Sequence, residues 1–172
     1  MARLPDPRPM LDAPGKAIYK RLAGSRGALG GMYLALMHHP VLAEHVGALG
    51  TYLRFHGLLP GDVRELAILA TAHSLGAAFE WKQHLAFARE AGLPQEIIDR
   101  VRRNDVAGAT VSRLHSDVWR TARHMAAQED LPKALQRRLE KALGLGGVVE
   151  LVALCGFYRC VATIGAAFDV SL

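Results

Sequence analysis

The sequence predicts an all-α protein, a single-domain helical bundle. Three observations carry that reading. Apolar residues recur at the three- and four-residue spacing of a helix face, and no segment alternates apolar and polar residues as a half-buried strand does. Prolines, glycines and small polar residues stand where those stretches begin and end. The connections between them are short, as in helical bundles.

The elements follow in order. Pro5, Pro7, Pro9 and Pro14 mark an extended arm over 1–14, ahead of one helical domain over 15–172. A short helix is expected over 16–22, and the stretch from Gly27 to Gly31 then punctuates the chain. Residues 32–38 read as helix and stop at His39-Pro40, because the residue before a proline is pushed out of the α region. Residues 42–55 form a second amphipathic helix, ended by His56 and Gly57. Asp62 is expected to cap the next helix, with Glu65 completing a capping box, and the helix runs to about Ser74. Gly76 breaks it, and a helix through Glu80 follows to Ala91. Gly92-Leu93-Pro94 ends that one and opens 94–103, and 111–128 is a further long helix. Pro132 starts a helix that ends at Gly144, Gly146 and Gly147, and 148–168 closes the chain. This last stretch carries only Glu150 and Arg159 as charges, which marks a central helix or a subunit interface.

Composition narrows the function. The chain is 51% hydrophobic and 22% charged, which is enough apolar surface for a core in 172 residues. Its net charge is +5, but the basic residues are dispersed. The tightest groups, Arg100, Arg102, Arg103 and Arg137, Arg138, Lys141, lie on amphipathic stretches and read as solvated helix faces rather than a nucleic-acid surface. Cys155 and Cys160 have neither Cys-x-x-Cys nor zinc spacing, and read as small core residues in a reducing compartment. The first residues, Met1-Ala2-Arg3-Leu4-Pro5, carry no signal-peptide pattern. No apolar run is read as approaching the ~18 residues of a membrane span. A cytoplasmic, soluble protein is expected, with no membrane and no nucleic-acid partner.

Two helices break their own pattern. In 77–91, Ala77, Ala78, Trp81, Leu85, Phe87, Ala88 and Ala91 make one apolar face, and Glu80 and His84 fall inside it, one turn apart. In the preceding helix, Glu65 lies within the stripe of Leu66, Ile68, Leu69 and Ala72, with His73 at its margin. A hairpin at Gly76 would bring Glu65, Glu80 and His84 together. A buried carboxylate beside an imidazole is costly unless paired, and such pairs gather at active sites. The structural alternatives stand beside this one. The pair is also what a buried ion pair looks like, Glu65 has a capping role, and Trp81, His73 and Tyr158 read first as packed core residues. His38, His39, His45, His56, His115 and His124 have no metal-ligand spacing.

Arg64-Glu65-Leu66-Ala67-Ile68-Leu69, then Glu80-Trp81-Lys82-Gln83-His84, then Ala91-Gly92-Leu93-Pro94 resembles the carboxymuconolactone decarboxylase family, whose superfamily includes alkylhydroperoxidase D. The segments 53–60 and 150–158 fit the same likeness. The resemblance implies the all-helical alkylhydroperoxidase D-like fold, a homotrimer or homohexamer, no metal and no organic cofactor. The peroxidase branch places a Cys-x-x-Cys between its Glu and its His. Aligned here on Glu65 and His84, those positions hold Ala77 and Glu80. Without the thiolate and its resolving partner, a peroxide reductase is disfavoured. The decarboxylase branch carries Glu and His four apart, as Glu80 and His84 are. The resemblance thus implies a cofactor-free decarboxylase acting on a small carboxylated lactone or related acid. In that reading His84 donates the proton, Glu80 orients it, Glu65 supports the pair or enters the pocket, and Trp81 and His73 contact the substrate. A non-catalytic small-molecule-binding protein is the alternative.

Overall fold

The computed structural model describes residues 3–24, 29–106, 108 and 110–170. Among them are eight α-helices and no strand, so the all-α expectation holds. The helices are α1 (Ala13–Gly24), α2 (Met32–Leu36), α3 (Pro40–Phe55), α4 (Gly61–Ser74), α5 (Ala78–Glu90), α6 (Gln95–Arg102), α7 (Arg113–Ala127) and α8 (Lys133–Ala167). The chain divides into two compact units, Met1–His56 with Thr163–Leu172, and Gly57–Ala162. Of the expected punctuation at 27–31, Gly27 and Ala28 lie outside the described residues.

The first unit holds α1, α2 and α3. Its start differs from the expected arm, since Arg8–Met10 winds a 3-10 turn and α1 already begins at Ala13. Pro14 belongs to that first helical turn, where a missing N–H leaves nothing unsatisfied. Asp12 Oδ1 accepts from Gly15 N at 2.8 Å. The same effect moves the start of α3 forward to Pro40, with His39 as its cap, its ring Nδ1 accepting from Leu42 N at 3.2 Å. α1 packs on α3, with Leu22 seated against Gly47, where a side chain would collide with it.

The second unit is built around α4. Val63 and every residue from Glu65 to Ala72 are buried, and α5, α6 and α7 pack against this helix. The capping box expected of Asp62 and Glu65 does not form. α4 starts two residues earlier than an Asp62 cap requires, at Gly61 after Pro60, with no side-chain cap. The two carboxylates instead reach neighbouring helices, Asp62 Oδ2 lying 2.9 Å from His115 Nε2 on α7 and Glu65 turning toward α5. Gly76, at φ 64°, makes the turn between α4 and α5, a left-handed conformation that glycine adopts without strain. The expected hairpin is therefore present. Its second helix is covered less than its periodicity implies, because only His84 and Ala88 of α5 are buried and Phe87 is 37% exposed.

α8 is two helical stretches merged across Gly144, whose φ of 72° marks the break where the glycine cluster was expected to end a helix. Within the second unit, Val148, Leu151, Leu154, Cys155 and Tyr158 face inward, while Leu145, Val149 and Cys160 are exposed. Cys160 is thus not the core residue it was read to be. The expectation about apolar length is also corrected. α8 contains an 18-residue window of mean hydropathy 1.6, long and apolar enough to cross a bilayer by length and composition, with half of that window buried inside the chain. The run was missed because Glu150 and Arg159 interrupt it in sequence. Glu150 is itself buried and receives the backbone N–H groups of the segment entering α4. Leu58 N lies 2.7 Å from Oε2, and Leu59 N 3.1 Å from Oε1. A second buried carboxylate, Asp117 on α7, is held by Arg138 on α8 in a bidentate pair with both contacts at 2.7 Å.

Candidate proton-transfer site

Three helices of the second unit converge on one imidazole. α4 supplies Glu65, whose Oε2 lies 2.7 Å from His84 Nδ1 on α5. α8 supplies Tyr158, whose hydroxyl lies 2.9 Å from His84 Nε2. Arg64, next to Glu65, donates from Nε to the other carboxylate oxygen, Oε1, at 3.2 Å. Glu65 is 1% exposed, and His84 and Tyr158 are each 4% exposed. The His84 ring stands edge-on to Tyr158, with centroids 5.0 Å apart and planes at 88°, and packs against Phe87 at 5.6 Å. Phe157 holds the far side of the phenol in a second edge contact at 5.5 Å.

The protonation pattern follows from the partners. Burial pushes the Glu65 carboxyl up, but the hydrogen bond and charge of His84, together with Arg64, outweigh burial and hold it below the ordinary carboxylate range. An ionised carboxylate only accepts, so Nδ1 of His84 carries a proton and donates to Glu65. Nε2 then faces the phenol in one of two ways. A neutral imidazole accepts the Tyr158 O–H, and an imidazolium donates to the Tyr158 oxygen. Glu65, His84 and Tyr158 therefore form a continuous path along which one proton can shift.

The sequence-derived residues distribute as follows. Glu65 and His84 meet, and the orienting place expected for Glu80 beside the ring is filled by Glu65. Glu80 is half-buried on the first turn of α5. Trp81 and His73 pack against each other at 5.6 Å, and the Arg102 guanidinium lies 5.7 Å from the indole. Tyr158 is the participant that periodicity missed. Its signal was present, since a phenol on an otherwise greasy helix needs a partner for its hydroxyl once buried. Among the described residues no three His, Cys, Asp or Glu side chains converge as a metal ion would require. Burial pushes the Cys155 thiol up to about 11, so it stays protonated near neutral pH.

Residues 40–123 match the sequence profile of the carboxymuconolactone decarboxylase family. Among solved structures, the fold resembles a cysteine-to-alanine variant of the debrominase Bmp8 in complex with 2,3,4-tribromopyrrole. The TM-score is 0.69 at 15% identity, over 99% of this chain and 89% of that one. Ligand-free Bmp8 is similar at a TM-score of 0.69 and 14% identity, over 93% of this chain and 86% of that one. At such identities the likeness is one of fold. No curated protein matches the chain in sequence.

Proposed function

We propose that this chain, whose residues 40–123 match the carboxymuconolactone decarboxylase family, is a cofactor-free decarboxylase of a small carboxylated lactone or related acid, and that Tyr158, backed by His84 and Glu65, delivers its proton. The observation that carries the reading is the buried hydrogen-bonded path from Glu65 through His84 to Tyr158. Decarboxylation breaks the bond between the carboxylate and the neighbouring carbon. The electron pair stays behind as an enolate conjugated to the lactone carbonyl, carbon dioxide leaves, and the carbon takes up one proton. Both ring nitrogens of His84 are engaged inside the protein, and the phenol lies beyond Nε2, so the reading gives it the last place in the relay toward substrate. Tyr158 gives its O–H proton to the carbon, the Nε2 proton of the His84 imidazolium moves to the phenol oxygen, and Glu65 keeps the ring oriented throughout. Solvent returns the proton that the reaction consumes.

Arg64 is the residue for the substrate carboxylate. Its guanidinium is part-exposed, uses Nε on Glu65, and makes no hydrogen bond from its two terminal nitrogens to any described residue. Those nitrogens suit a carboxylate, which they would hold at the Glu65 end of the path. The homotrimer or homohexamer implied by the family likeness is supported by apolar side chains left open on single helices, Leu49, Tyr52 and Phe55 on α3 and Leu145 and Val149 on α8.

The test is carbon dioxide release by the purified protein over a panel of carboxylated lactones and β-keto acids, with His84→Gln and Tyr158→Phe alongside. Release by the wild type should fall by about 10²- to 10⁴-fold in His84→Gln while circular dichroism stays unchanged. An unaltered rate in His84→Gln, or no release from any substrate, would overturn the reading.

A further inference from the structure

The structure assigns a second binding site, for a small oxyanion, to a cavity at the far ends of α4 and α7. The cavity measures about 360 Å³ and is lined by His73, Ser74, Asn104, Arg123, Ala126 and Ala127. That volume falls in the range of small-molecule pockets. It is independent of the proton path, because His73 lies two turns along α4 from Glu65, about 12 Å at the helical rise.

The lining selects an anion. Arg123 supplies a permanent positive charge, and no carboxylate lines the cavity. Its guanidinium lies over the Trp119 ring at 5.0 Å, which braces the plane and leaves its N–H edge for a ligand. His73 is braced in the same manner against Trp81. Among the described residues, none of the side chains of His73, Ser74, Asn104 and Arg123 makes a hydrogen bond or ion pair. Asn104, also on the lining, holds a left-handed backbone, φ 57°, just past the Arg103 cap of α6.

Helix C-termini ordinarily repel anions through their exposed carbonyls. Both helix ends at this cavity are quenched. Arg159 donates to Ala126 O at 2.7 Å and approaches Met125 O at 3.4 Å, which adds a second positive charge behind the α7 end. At the end of α4, Leu75 N, Gly76 N and Ala77 N close onto Thr71, His73 and Ala72 carbonyls. What faces the cavity is thus donor-rich and cationic, the complement of a carboxylate or phosphate group flanked by a hydroxyl or amide acceptor.

The experiment is a titration of the full-length ¹⁵N-labelled protein with inorganic phosphate and, separately, with succinate, at constant ionic strength with chloride as control. Saturable shifts at Ser74, Asn104 and Arg123 are expected with at least one of the two, and which one distinguishes a phosphate from a carboxylate ligand. Arg123→Gln should weaken that binding at least tenfold. Asn104→Gly, which keeps the left-handed backbone and removes the amide, should weaken it less. No saturable shift with either anion up to about 10 mM, a ceiling that still detects weak sites, would overturn the assignment. So would binding that persists undiminished in Arg123→Gln.

Discussion

Glu65 and Glu150 are the same residue in nearly the same degree of burial, and they serve opposite purposes. Glu150 is 6% exposed and, among the described residues, takes its hydrogen bonds from the backbone amides of Leu58 and Leu59, beside Gly57, where any side chain would strike its carboxylate. Amides hold their protons at every accessible pH, so the carboxylate is fixed as an acceptor and ties α8 to the entry of α4. Glu65 is 1% exposed and meets an imidazole and a guanidinium. The imidazole, unlike an amide, can both donate and accept a proton through its ring nitrogens. Burial alone therefore does not separate a structural carboxylate from a working one. The partner's ability to exchange a proton does.

Substitution of the two by glutamine breaks the comparison most sharply. Glu65→Gln keeps the shape but removes the charge that holds Nδ1–H, and carbon dioxide release should fall by about 10³-fold. Glu150→Gln should leave turnover per folded molecule within a few-fold of the wild type. Equal losses of turnover in both variants would erase the distinction.

The next effect is on stability. Glu150→Gln puts an amide NH₂ where two backbone donors converge, so a urea titration should show a loss of about 2 kcal/mol. An unchanged midpoint would mean the contacts at Leu58 and Leu59 contribute nothing net.

The smallest effect is one of pH. The folded-state pKa of Glu65 is depressed. Its contribution to stability is fully present above the unfolded value of about 4.3 and is lost as pH falls through the lower folded value. The melting-temperature gap between wild type and Glu65→Gln should narrow as pH falls below about 4.3. A gap that widens below that range would reverse the assigned direction.

Much of this was legible in the chain. The α4–α5 hairpin followed from two periodic stretches around Gly76, and Glu65 and His84 stood out as ionisable residues on apolar faces. The boundaries moved at Pro14, read as part of an extended arm, and at Pro40, read as a stop, because both are first-turn residues. Asp62 with Glu65 matched a capping box because that pattern specifies spacing, not rotamer. Once α7 offers His115 and α5 offers His84, the side chains leave the helix end for those partners. Glu80 looked like the partner of His84 because i and i+4 residues adjoin on one helix. The ring nitrogen instead points across the helix pair to Glu65. Tyr158 lies 74 residues from His84 in sequence, and no local rule links them.

By itself the sequence determined the helical class, most of the breaks between helices, and which ionisable side chains would be carried into the interior. These depend on the 3.6-residue period and on glycine and proline backbone limits, which act within a few residues. Only the tertiary structure decided which carboxylate met which nitrogen, that a phenol from α8 closed the path, and that Arg123, Asn104 and His73 would border one cavity. Those outcomes depend on the rotation and axial shift of each helix against its neighbours. Interdigitating side chains set them collectively, and no single stretch of chain encodes them.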